Sequence, residues 1–162
     1  MKRLLLLAAL VALLSPSLGA AGSRNSGDGT LSVRDGRGMF WVNARGGVIG
    51  SFARGKVIIV DPIDEDGTGP IISLSSDDLK RERGDTTTIV TGTKVRFRLI
   101  GGTFRIRVIG RGVNLSLVGR GQVTLNGEGT LDDGSYSLNG GDYLPVPSEP
   151  TTFALNASSG SP

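Results

Sequence analysis

Cysteine and histidine are both absent from this 162-residue chain. Without cysteine there is no disulfide framework, no lipidated N-terminal anchor and no thiolate to act as nucleophile or metal ligand. Without histidine, the usual general base and the commonest ligand of transition metals are missing too. A hydrolase made from this sequence would have to work with carboxylates alone, as glycosidases do. Large aromatics are few (one Trp, two Tyr, five Phe), while there are 26 glycines and seven prolines. That balance argues against a helix bundle and for a turn-rich sheet. Long hydrophobic runs are missing as well. The longest, Leu4–Leu14, is well short of the roughly 20 residues that a spanning helix needs.

That short run follows Met1-Lys2-Arg3 and precedes Ser15-Pro16-Ser17-Leu18-Gly19-Ala20-Ala21. A basic start, a short apolar stretch and small residues at the exit are the parts of a secretory signal peptide. Residues 1–20 are therefore expected to be removed, with cleavage after Ala20 or Ala21, and the alternative is a buried helix or interfacial anchor. The mature chain is then exported, either secreted or held non-covalently at the cell envelope. Loss of Lys2 and Arg3 leaves 16 basic side chains against 15 acidic, so overall basicity no longer argues for nucleic-acid binding. What remains is segregation. Residues 86–125 hold seven basic and no acidic side chains, and residues 61–85 hold three basic and eight acidic.

The mature length suits one domain with a real core. Residues 21–30 read as a flexible leader, 31–155 as a single β domain and 156–162 as a disordered tail. The domain divides into halves at 31–61 and 94–138, joined by an acidic connection at 62–93. Its organising stretch is 94–109. Lys94–Ile100 and Thr103–Ile109 alternate strictly, with Gly101-Gly102 between them, which predicts a two-residue hairpin. Closed on Ile100 and Thr103, that hairpin sets Leu99 against Phe104, Phe97 against Ile106 and Val95 against Val108. On the other face it sets Arg98 against Arg105 and Arg96 against Arg107.

Further turns at Gly110-Arg111, Gly119–Gly121, Gly127–Gly129 and Asp133-Gly134 keep Val113, Leu115, Leu117, Val123, Leu125, Leu131 and Tyr136 on the apolar face. In the first half, Phe40, Val42, Ala44, Val48, Phe52, Val57 and Ile59 share one face, and Met39, Trp41, Ile49, Ile58 and Val60 share the other. Arg-Gly or Gly-x-Gly punctuation recurs every eight or nine residues in both halves, and 104–131 resembles 31–58, which suggests an internal duplication. The expected fold is all-β, a duplicated antiparallel meander closing into a β-sandwich or flattened barrel. The alternative is a β-solenoid, although no run carries the Gly-Gly-x-Gly-x-Asp steps of a calcium roll. Ser75–Gly84 has the charge order of a short helix, and Thr151–Leu155 reads as an edge strand.

The acids that could do chemistry are Asp61, Asp64, Glu65, Asp66, Glu128, Asp132 and Asp133, all in turns. Asp64–Gly67 fails as an EF-hand because Pro62 and Ser73 fall where carboxylates belong. No catalytic residue, metal ligand or cofactor is assigned. The sharpest feature is the basic face formed by Lys94, Arg96, Arg98, Arg105 and Arg107. Like charges directly opposite on a sheet cost about 0.2–1 kcal/mol per pair, so an offset is expected. Either the acidic segments cover this face, or it contacts an external anion, since arginine forks donate two parallel hydrogen bonds to carboxylate or phosphate.

From Gly119 through Leu131-Asp132-Asp133-Gly134 to Asn139-Gly140-Gly141, the chain resembles uncharacterised glycine-rich exported bacterial β-proteins. That resemblance implies a compartment and no mechanism. The functional expectation is an exported, non-catalytic structural or binding domain whose arginine face meets an anionic envelope polymer or another surface protein. Nucleic acid is not expected as a partner. The alternative is a small carboxylate-dependent polysaccharide hydrolase.

Overall fold

The computed structural model describes residues 27–60, 71–73, 80–84 and 86–157. The expected signal peptide at 1–20, most of the expected leader at 21–30, the expected acidic turn at 61–70, the first part of the expected helix and residues 158–162 lie outside the described residues. The strands are β1 (Gly29–Val60), β2 (Ile71–Ser73), β3 (Lys80–Arg83), β4 (Thr87–Leu99), β5 (Thr103–Gly127), β6 (Ser135–Leu138), β7 (Leu144–Pro145) and β8 (Thr151–Leu155). All of the ladders among them are antiparallel. Together they form one eight-stranded sheet that curls into a half-barrel. The chain is thus all-β, consistent with a sandwich or flattened barrel. The parallel coils of a solenoid are not found among the described strands.

A strand of 32 residues such as β1 would be about 100 Å long if straight, at roughly 3.3 Å per residue. It bends instead, and so do β4 and β5. The registers show how. Residues 29–45 of β1 pair with 103–119 of β5, and residues 38–60 of β1 also pair with 105–127. Residues 48–60 of β1 pair on their other side with 87–99 of β4. These ladders sort the segments into two rows. The first runs β6, 29–34, 113–119, 46–52, 95–99 and β2; the second runs β8, 119–127, 38–46, 103–110, 54–60, 87–93 and β3. Each long strand passes from one row to the other every eight or nine residues, which is the period of the glycine punctuation.

Glycine is required at these crossings because the backbones touch. A Cβ at Gly46 would lie 2.1 Å from the Val118 carbonyl oxygen, and one at Gly110 would lie 2.4 Å from that of Arg54. Apolar side chains from both rows build one core. Phe40, Phe52, Phe104, Leu31, Ile59, Ile106, Leu117 and Leu125 are almost fully buried within it. The inner and outer faces expected from alternation are those observed in β1, β4 and β5.

The turns are not as expected. Gly101 and Gly102 both have the positive φ of a tight turn, 80° and 79°, but the arms beside them do not pair. Residues 95–99 go to the first row, where Leu99 faces Val48. Residues 103–110 go to the second, where Phe104 faces Ala44 and Ile106 faces Val42 and Ile59. Likewise Gly110–Gly112 and Gly119–Gly121 are bends within β5. Leu115 therefore faces Val33 and Gly50, not Ile106. A bend and a hairpin both return the apolar side chains to the core, so alternation alone does not separate them.

Three further differences have local causes. Leu131 is fully exposed, because the buried carboxylate of Asp133 holds the 129–133 turn shut, and Tyr136 faces Val33 and Leu144 instead. Lys80–Arg83 is a strand on Thr88–Thr91, so pairing overrides the helix-like charge order. Residues 71–73, 80–83 and 87–93 of the acidic connection are strands. Thr151–Leu155 is the expected edge strand, on 121–125.

Candidate functional site

Because the two arms diverge, the five basic residues do not form one face. Arg96 and Arg98 are exposed on the first row, opposite Ser51 and Ile49. Arg105 and Arg107 are exposed on the second row. There Arg105 lies between Asn43 and Val60, and Arg107 between Trp41 and Ile58. Lys94 marks the bend of β4 with φ 51° and already holds an interaction. The expected Arg98–Arg105 and Arg96–Arg107 oppositions therefore do not occur. Each arginine is flanked in its ladder by neutral residues, which removes the repulsion.

The second row sets its arginines among aromatic and neutral polar groups. The Arg107 guanidinium carbon sits 5.0 Å from the centre of the Trp41 ring, within the range of cation–π attraction. Thr124 flanks Trp41 on the next strand, and Thr152 follows on β8, its hydroxyl 2.8 Å from that of Thr124. One line further along, Gln122, Asn43 and Arg105 stand side by side. This outer surface thus combines one aromatic ring, two forked cations and a set of amide and hydroxyl groups. Among the described residues the ion pairs are Arg37–Glu128 at 3.9 Å and Arg120–Asp28 at 3.1 Å. Neither involves Arg96, Arg98, Arg105 or Arg107.

A cleft of about 780 Å³ lies where β1, β4 and β5 cross between rows. Gly92, Gly55, Gly110, Gly38 and Gly127 stand in register there across five neighbouring segments and line the cleft. At about 4.8 Å per strand, that line is about 19 Å long. Thr91, Lys56, Ile109, Met39 and Asn126 flank it on one side, and Thr93, Arg54, Arg111 and Glu128 on the other.

Among the described candidate acids, Glu128 lines this cleft and Asp132 and Asp133 do not. Asp133 is buried. Its Oδ2 accepts hydrogen bonds from the N–H groups of Gly129 at 2.6 Å and Thr130 at 2.9 Å, and its Oδ1 accepts one from the Thr130 hydroxyl. Burial pushes its pKa up, but these three bonds and the nearby Arg37 charge hold it below the ordinary value. A general acid needs the opposite shift. Asp132 is exposed beside it, Glu128 pairs with Arg37, and Asp61, Asp64, Glu65 and Asp66 lie outside the described residues. No group of three or more metal-capable side chains occurs among the described residues, and no helix among them is long and apolar enough to cross a membrane.

Sequence reasoning found the arginines but not the cleft. Its signal was in the sequence as glycines at matching intervals in both halves, visible only once the segments are aligned across strands. Comparisons with protein-family models, curated proteins and solved structures find no match to this chain.

Proposed function

We propose that this chain is an exported, non-catalytic binding domain of the cell surface or secretome that contacts an anionic envelope polymer. The observation behind this reading is the outer surface of the second row. Arg105 and Arg107 project there from one strand, with no carboxylate partner among the described residues, beside Trp41, Asn43 and Gln122. Arginine forks take carboxylate or phosphate groups bidentately, the indole face supports a ring or an apolar edge, and the amides supply orientation. Arg96 and Arg98 form a separate basic patch with no aromatic partner in their ladders.

The test is co-sedimentation of the mature protein with purified cell envelope over a salt series. Two variants run alongside, one with Arg105 and Arg107 changed to Ser and one with Arg96 and Arg98 changed to Ser. Binding is expected to weaken with salt and to fall about tenfold or more in the first variant, while the second changes it far less. Salt-insensitive binding, or equal losses in both variants, overturns the assignment to the second row.

A further inference from the structure

The observed register leaves two pairs of arginines directly opposite each other at the crossings, Arg45–Arg120 and Arg54–Arg111. Opposed like charges destabilise a sheet, and the fold treats the two pairs differently. At the first, the Asp28 carboxylate lies 3.1 Å from Arg120 Nε and supplies the missing negative charge. At the second, neither of the ion pairs among the described residues reaches Arg54 or Arg111. Both side chains are exposed, both line the cleft, and Lys56 stands across from them on its other side. The nearest cleft-lining acid, Glu128, is engaged with Arg37.

We infer that this cleft is a binding site for an extended acidic oligosaccharide, with a sugar carboxylate held between Arg54 and Arg111. Charge complementarity selects an anion, and the shape and lining select its class. The cleft crosses five segments, and the three inner ones, at Gly38, Gly55 and Gly110, are paired on both sides. An acidic peptide therefore finds no free strand edge to extend there. Recognition is left to side chains along the walls, where Thr91 and Asn126 carry hydroxyl and amide groups suited to sugar hydroxyls. This inference names the polymer class for the binding domain proposed above and so rests on that reading, but it uses different residues. The two therefore fail separately.

The experiment is calorimetric titration of the full mature chain with short oligogalacturonate, its methyl ester, polyglutamate and inorganic phosphate. The variants are R54S/R111S, R54K/R111K and R96S/R98S. Oligogalacturonate is expected to bind, and its methyl ester to bind at least about tenfold more weakly. R54S/R111S is expected to lose binding, the lysine variant to regain part of it, and R96S/R98S to keep it. Melting temperature separates binding from folding, because R54S/R111S removes a repulsion and is expected to melt no lower than the parent. No binding, equal binding of the ester, tighter binding of polyglutamate or phosphate, or loss in R96S/R98S instead would each overturn the assignment. Envelope binding that survives in R54S/R111S while oligogalacturonate binding is absent refutes this site and leaves the outer-surface reading standing.

Discussion

Gly46 and Gly47 are neighbours in the chain, yet the two-row fold predicts opposite fates for them on substitution by alanine. At Gly46, φ is 150°, and an added Cβ would meet the Val118 carbonyl oxygen at 2.1 Å and the Gly119 Cα at 2.7 Å. Those are backbone atoms of a paired strand, so relief means prising the ladder apart. The unfavourable dihedral costs about 1–3 kcal/mol, and the forced repacking costs about 1–3 more. The reduced freedom of the unfolded chain returns less than about 1 kcal/mol. A net loss of about 2–5 kcal/mol is a large part of the 5–15 kcal/mol that holds a typical domain together. It should lower the melting temperature by about 7–17 °C. At Gly47 the nearest atom to an added Cβ is the Leu99 oxygen at 3.5 Å, an ordinary contact, and φ lies outside the left-handed range. There the unfolded-state term dominates and Gly47→Ala should be neutral or slightly stabilising. Thermal melts of the two variants, with urea titrations, decide the matter. Equal destabilisation of both, or a neutral Gly46→Ala, would refute the close crossing at Gly46.

Two further outcomes follow from the described geometry. The Asp133 carboxylate has its pKa held down by three hydrogen bonds. Its contribution is therefore complete above the ordinary carboxylate pKa and is lost as pH falls through the lowered folded value. Asp133→Asn should cost about 1–3 kcal/mol at neutral pH, and urea titrations over a pH series should show this gap closing below about pH 4. Because no native cysteine competes, engineered pairs report register cleanly. Ile49→Cys with Arg98→Cys should form an intramolecular disulfide under mild oxidation, since these residues are directly opposite. Arg98→Cys with Arg105→Cys should stay reduced, and the reverse pattern on a non-reducing gel would restore the hairpin and remove the two rows.

Much of the fold was legible because alternation records which side of a strand faces the core. Phe40, Val57, Phe97, Phe104, Leu115 and Val123 all went to the correct face. Pairing was not legible, because a strand that bends at glycine and a strand that turns back leave the same apolar trace. Leu131 was misplaced because alternation ran on past the point where Asp133 closes a turn. The arginines were visible as residues, but their grouping depended on pairing, so the expected single face became two. The cleft at Arg54 and Arg111 required the register itself, since those residues lie 57 positions apart in the chain.

The double register of β1 and β5 also shapes how the chain reaches its native state. Gly38 pairs with both Gly110 and Gly127, and Phe40 with both Val108 and Leu125. The same stretch of β1 thus accepts either of two stretches of β5 that lie 17 residues apart. A partly folded chain that takes one for the other still sets glycine on glycine and apolar on apolar, so the error is penalised only when the second row fails to complete. Partners as distant as Gly29 and Gly119 must also find each other before such a slip is exposed, and non-local pairing of this kind is slow. Refolding is therefore expected to show a slow phase from register exchange. Disulfide formation cannot account for it, since the chain holds no cysteine.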